Sequence, residues 1–184
     1  SLGASGGLIL IEDAACAFGA TYRGRKIGSR GRFVTFSFHP RKSITTGEGG
    51  ALATDDPAVA EQAKLLRSHG VSISDMARHA SKGVAYEAYT LLGYNYRLSD
   101  VHAAVGLAQL KRADGILRAR QDLAARYKDK LAYLGWLDCP HVPEWATHPY
   151  QTYAALVKPE APLGRDELIK HLAGKDVSSR RGIP

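Results

Sequence analysis

Three residues of this 184-residue chain are of types that, held together, could do covalent chemistry: Asp13, Ser37 and Lys42. Asp13 closes the stretch "GGLILIED", Ser37 nearly closes "FVTFSF", and Lys42 follows soon after, ahead of the glycine-rich "TTGEGG". A lysine amine attacks an aldehyde carbon in its neutral form, and lysine sheds its proton readily on burial or beside other cations. A carboxylate keeps a ring nitrogen protonated, and a hydroxyl with backbone N–H groups holds a phosphate. Taken singly, each residue has an ordinary explanation. Asp13 caps a turn after a strand, Ser37 is a small polar filler and Lys42 is a solvated surface lysine. The elements that carry them must bring them together for chemistry to follow.

Four consecutive apolar residues at 8–11 predict a parallel strand buried on both faces, ending at Glu12 and Asp13. "TYRGRKIGSRGR" reads as a turn-rich loop, "FVTFSF" as a second strand and "GGALAT" as a third. "DDPAVAEQAKLLRSHG" predicts a helix capped by Asp55 or Asp56, with Pro57 in its first turn and His69–Gly70 at its end. Residues 71–98 show no strong periodicity and carry Tyr86, Tyr89, Tyr94 and Tyr96, the signature of a functional or interface segment. Ser99 caps a long helical stretch that is expected to break or bend near Gly115. After it come the connector "DCPHVPEWATHP", a strand "YQTYAALV" and a helix "GRDELIKHLAGK" stopped by Gly174. The fold class is α/β, a mostly parallel sheet with helices over residues 1–115, followed by a small α+β unit over residues 116–184.

In open parallel sheets, ligands sit at the carboxyl ends of the strands. Asp13, Ser37 and Lys42 stand there if their strands are neighbours. Pyridoxal phosphate uses all three partners: its ring nitrogen takes the acid, its phosphate the hydroxyl and its aldehyde the amine. The net charge of +7 comes from basic residues spread over a loop (Arg23, Arg25, Lys26, Arg30, Arg32) and a helix where they mix with Asp114, Asp122 and Asp129. That pattern favours attraction of anionic small molecules over a nucleic-acid module. Cys16 and Cys139 lack metal-ligand spacing, and neither a secretory signal nor a membrane-length apolar run is visible. The expectation is a cytoplasmic protein with no metal, no nucleic-acid partner and no membrane partner.

The segments "IEDAACAFGATYRGRKIGSRGRFVTFSFHPRKSITTGEGGALATDD", "LRSHG" and "GYNYRLSDVHAAVGLAQL" occur in an order and spacing that resemble the DegT/DnrJ/EryC1/StrS family of sugar aminotransferases. The resemblance implies the aspartate aminotransferase fold (fold type I). Residues 1–115 would be the C-terminal part of the cofactor-binding large domain, and residues 116–184 an incomplete small domain. It implies pyridoxal 5'-phosphate, with Lys42 as the Schiff-base lysine and proton shuttle. Asp13 would face the pyridinium nitrogen and Ser37 the phosphate. Asn95, in "GYNYR", would reach the phosphate of the partner subunit's cofactor, which implies a homodimer. The implied reaction moves an amino group from an amino acid, glutamate, to a nucleotide-linked keto sugar. Relatives that dehydrate sugars carry histidine at the lysine position, so Lys42 argues for transamination. The sequence departs from the family at Cys16, where many members have glutamine or histidine. It also shows no counterpart of the family's N-terminal phosphate loop and ring-stacking aromatic residue. The rival expectation is a catalytically inactive chain that acts as an oligomerisation partner.

Overall fold

The computed structural model describes residues 7–72 and 88–182. In chain order the elements are β1 (Glu12–Asp13), β2 (Thr21–Tyr22), β3 (Arg25–Lys26), β4 (Val34–Ser37), β5 (Gly50–Ala53), α1 (Pro57–Leu66), α2 (Asp100–Leu131), β6 (Leu137–Asp138), β7 (Ala146–Thr147), β8 (Leu156–Val157) and α3 (Arg165–Ala173). The sheet that matters for the site has the order β1-β4-β5. β1 runs parallel to β4, with Glu12 opposite Val34 and Asp13 opposite Thr35. β5 returns antiparallel, from Val34 opposite Ala53 to Ser37 opposite Gly50.

One face of β4 is closed. Val34 is wholly buried, and Phe36 meets Phe18 edge-on with ring centroids 6.4 Å apart. Leu110, Ala113 and Leu117 of α2 line a cleft with Phe36 and Phe38. The α2 helix therefore covers this side of the sheet. Ser99 caps it by accepting from the backbone N–H of His102. α1 begins as its sequence dictates: the Asp56 carboxylate accepts from the N–H groups of Ala58 and Val59, and Pro57 takes the first helical position. Those backbone donors, with Arg32 at 3.2 Å, hold the Asp56 carboxyl below the usual range.

Four expectations are corrected. Residues 8–11 are not a buried strand; Leu8 and Ile9 are each 72% exposed, and pairing starts only at Glu12. A strand buried on both faces needs elements packed over each, and Leu10 and Ile11 also stand open, at 62% and 64% exposed. "TYRGRKIGSRGR" is not simply a loop. β2 and β3 form a tight hairpin around Arg23 (φ 48°) and Gly24 (φ 73°), and two left-handed central residues match the right-handed strand twist. β2 also pairs with β7, so a late segment joins an early one. "YQTYAALV" is extended only at Leu156–Val157, because Tyr150 sits at φ 48°, which no strand accommodates. Finally, α2 runs through Gly115 without a break. One glycine costs a helix roughly 1 kcal/mol, too little to interrupt thirty-two residues.

Gly70 and Gly93 pack backbone to backbone beyond α1. A Cβ on Gly93 would lie 2.1 Å from the Gly70 nitrogen, whereas one on Gly115 would meet open space. Gly115→Ala is therefore expected to stabilise the protein by about 0.5–1 kcal/mol. Gly93→Ala is expected to destabilise it by about 2 kcal/mol or more, since backbone must move. Denaturant titration of both variants checks this, and equal effects of the two would refute the packing described.

Candidate active site

Side chains alternate across a sheet, so residues in register with one another or two apart share a face. Asp13 stands opposite Thr35, and Ser37 lies two residues beyond it. Asp13, Thr35 and Ser37 thus occupy the face opposite Val34 and Phe36, the side that α2 leaves uncovered. Each of the two candidate groups is partly engaged. One Asp13 oxygen accepts from the Ala15 N–H at 3.0 Å, so this carboxylate does cap a turn. Its second oxygen has no donor among the described residues. Ser37 Oγ accepts from the His39 N–H at 3.3 Å and keeps its own proton to donate.

The loop from 38 to 49 carries Lys42 and is tightly bonded within itself. Phe38 donates to the Gly49 carbonyl, and the Thr46 N–H and the Thr45 hydroxyl both donate to the Phe38 carbonyl. Ser43, Ile44 and Thr46 are buried. Pro40 pre-sets the turn that the Lys42 N–H closes by donating to the His39 carbonyl at 2.9 Å. The half-buried Lys42 side chain then reaches back over the sheet end, and its Nζ lies 3.0 Å from Cys16 Sγ. Cys16 belongs to the turn that follows Asp13. The amine is thereby brought to the end of β1, where the acid stands. Asn95 is elsewhere: it bridges Ser68 beyond α1 and makes no hydrogen bond with Asp13, Ser37 or Lys42 among the described residues.

Residues with no local sequence signal complete the arrangement. Gln151 Nε2 donates to the Arg41 carbonyl at 2.7 Å, and Gln151 Oε1 accepts from the Ser43 hydroxyl at 2.9 Å. The segment bearing Gln151 is tied down in turn. Arg120 of α2 donates to the Tyr150 carbonyl at 3.0 Å, and the Tyr150 N–H donates to His148 Nδ1 at 3.0 Å. Thr147 of β7 meets Thr21 of β2 hydroxyl to hydroxyl at 2.8 Å. Pairings more than a hundred residues apart in sequence leave no pattern that periodicity or spacing could reveal. Among the described residues, no cluster of His, Cys, Asp or Glu could hold a metal, both cysteines are free, and no helix is long and apolar enough to cross a membrane. Tyr86 lies outside the described residues.

An amine, a carboxylate with a free oxygen and a hydroxyl with a free proton, all at one end of one sheet, fit pyridoxal phosphate by the chemistry of the donor set. The fold is that of the fold-type-I pyridoxal-phosphate aminotransferases. Within that class the chain belongs to the DegT/DnrJ/EryC1/StrS aminotransferase family, whose model matches residues 1–181. It is 41% identical over 174 residues to GDP-perosamine synthase of Caulobacter vibrioides, covering 94% of this chain and 44% of that one. The aminotransferase TlmJ from Streptoalloteichus hindustanus superposes with a TM-score of 0.84 at 31% identity, over 100% of this chain and 47% of that one. S. venezuelae DesV, solved in complex with a ketimine intermediate, gives a TM-score of 0.83 at 32% identity, over 96% of this chain and 43% of that one. The chain spans less than half the length of these proteins.

Burial holds the His148 imidazole below its ordinary pKa, and its Nδ1 must stay unprotonated to accept from Tyr150. A histidine whose folded pKa is depressed gives stability that is fully present above its unfolded value, about 6.5, and is lost as pH falls through the folded value. Urea midpoints are expected to fall on acidification from about pH 7.5 to about pH 5, and His148→Asn is expected to flatten part of that fall. An unchanged pH dependence in His148→Asn would show that His148 does not contribute.

Proposed function

We propose that the chain carries the lysine half of the active site of a sugar aminotransferase. This enzyme moves an amino group from an amino acid, glutamate, to the keto carbon of a nucleotide-linked sugar. The observation that carries the reading is Lys42 Nζ turned back to the end of β1, 3.0 Å from Cys16 Sγ and next to the turn capped by Asp13. The names of the relatives support a sugar substrate, and lysine in place of histidine favours amino transfer over dehydration.

Bound pyridoxal phosphate would supply an electron sink for the carbanion formed when the amino donor loses its α-proton. Lys42 Nζ would hold the cofactor covalently through its aldehyde carbon, water leaving as the bond forms. Once released from that bond, the Lys42 amine would serve as the base that moves the substrate's proton. It takes that proton in the first half of the cycle and returns it in the second. The second oxygen of Asp13 would face the ring nitrogen and hold its proton in place. The Ser37 hydroxyl would donate to a phosphate oxygen. Asn95, on a separate stretch of backbone, suits a contact with a second subunit's cofactor, and the assembly is a homodimer in the cytoplasm.

The test is spectroscopic. The intact protein with added pyridoxal phosphate should gain a visible absorbance band, and borohydride should fix the cofactor on Lys42. Lys42→Ala should abolish the band, the labelling and amino transfer. Lys42→Arg should do the same, since a guanidinium stays protonated and cannot bond the aldehyde. Labelling found on Lys26 or Lys64 instead would sink the assignment.

A further inference from the structure

Gln151 makes no hydrogen bond with Asp13 or Ser37 among the described residues, yet it grips the chain on both sides of Lys42. Its Nε2 donates to the carbonyl of Arg41, the residue before, and its Oε1 accepts from the hydroxyl of Ser43, the residue after. The orientation of the amide follows from chemistry. The Arg41 carbonyl can only accept, so the NH2 end must face it and the oxygen must face Ser43. An uncharged planar side chain that donates at one corner and accepts at the other suits both groups at once. With the peptide before Lys42 and the side chain after it fixed, the Cα–Cβ direction of Lys42 has little freedom left. Ser43 is buried, so water cannot readily replace the contact if Gln151 lets go.

The backbone that delivers Gln151 is itself held in an uncommon shape. Tyr150 lies at φ 48°, a left-handed conformation that side chains larger than glycine seldom adopt. It stays there because Arg120 holds its carbonyl and His148 its N–H. Its ring packs against His148 at 4.7 Å and Tyr153 at 6.2 Å. A filler residue would not need a strained neighbour anchored from α2 and from the segment after β7. Strain maintained by surrounding bonds next to a site residue is a mark of a position that matters for function.

We infer that Gln151 is a positioning residue for Lys42: it sets the direction from which the amine approaches, and it does so from the last third of the chain. The inference rests on the reading of Lys42 given above.

The test compares the intact wild-type protein with Gln151→Met, which keeps the side-chain length and removes both hydrogen bonds, and with Ser43→Ala, which removes one. First, the cofactor-free proteins are labelled with trace acetic anhydride, and the Lys42 label is read by peptide mass spectrometry relative to the exposed Lys26. Gln151→Met is expected to change that ratio about threefold or more, since small displacements of a reacting group have large effects on rate. Ser43→Ala should change it in the same direction by less. Second, with pyridoxal phosphate added, the pH at which the visible band changes should move by about half a unit or more in Gln151→Met. An unchanged ratio and an unchanged pH midpoint, with only a lower melting temperature, would overturn the inference and leave Gln151 a packing residue. If Gln151→Met does not fold, Ser43→Ala decides on the same two readouts. Failure of the Lys42 reading itself is separate, because it appears as a band that survives in Lys42→Ala.

Discussion

Between β1 and β4 the chain makes a short parallel pairing, Glu12 with Val34 and Asp13 with Thr35, and the place of each site residue follows from it. Flanking bonds secure the register. The Glu12 N–H donates to the Phe33 carbonyl, the Ala14 N–H to the Thr35 carbonyl, and the Thr35 hydroxyl to the Glu12 carbonyl. A slip of one residue would turn Ser37 toward α2 and Phe36 toward the open face. The burial of Val34 opposes such a slip, since a one-residue shift would carry this side chain out of the core. Apolar packing on one face thereby sets the polar chemistry on the other.

The second constraint is the late return of the chain onto its early part. α2 supplies both the cover for Phe36 and, through Arg120, an anchor for Tyr150. β7 pairs with the β2–β3 hairpin. Part of the basic character makes contacts within the chain. Arg32 pairs with the helix-capping Asp56, Arg23 lies 5.5 Å over the Tyr22 ring, and Arg120 holds a backbone carbonyl. These contacts orient the cations without taking them out of solvent, and the Arg32 side chain stays 62% exposed in its pairing.

What was legible in the sequence was what local rules govern. Pro57 after Asp56 marks a helix start anywhere, and "FVTFSF" with "GGALAT" around a glycine-rich loop gives two strands and a turn. Asp13 and Lys42 could be placed at one sheet end because strand ends and loop length are local properties. The rest was hidden for physical reasons. Residues 8–11 have the composition of a core strand, but composition does not say which neighbours will cover it. The break expected at Gly115 gave too much weight to one residue's propensity in a helix otherwise rich in alanine, leucine and arginine. Gln151 sits in "HPYQTYAALV", where alternation suggests a strand; a backbone turned by tertiary bonds at Tyr150 overrides that pattern.

The separation between Ser43 and Gln151, 108 residues, also bears on how the protein is made. Synthesis proceeds at about 5–20 residues per second, so roughly 5–20 seconds pass between the emergence of the lysine loop and that of the side chain that straddles it. During that interval β4, β5 and the hairpin can pair, but the nascent chain exposes the Arg41 carbonyl and the Ser43 hydroxyl to the surroundings. Assembly of the lysine loop therefore waits for a segment made much later, and the amine acquires its fixed direction only when the scaffold around it is already standing.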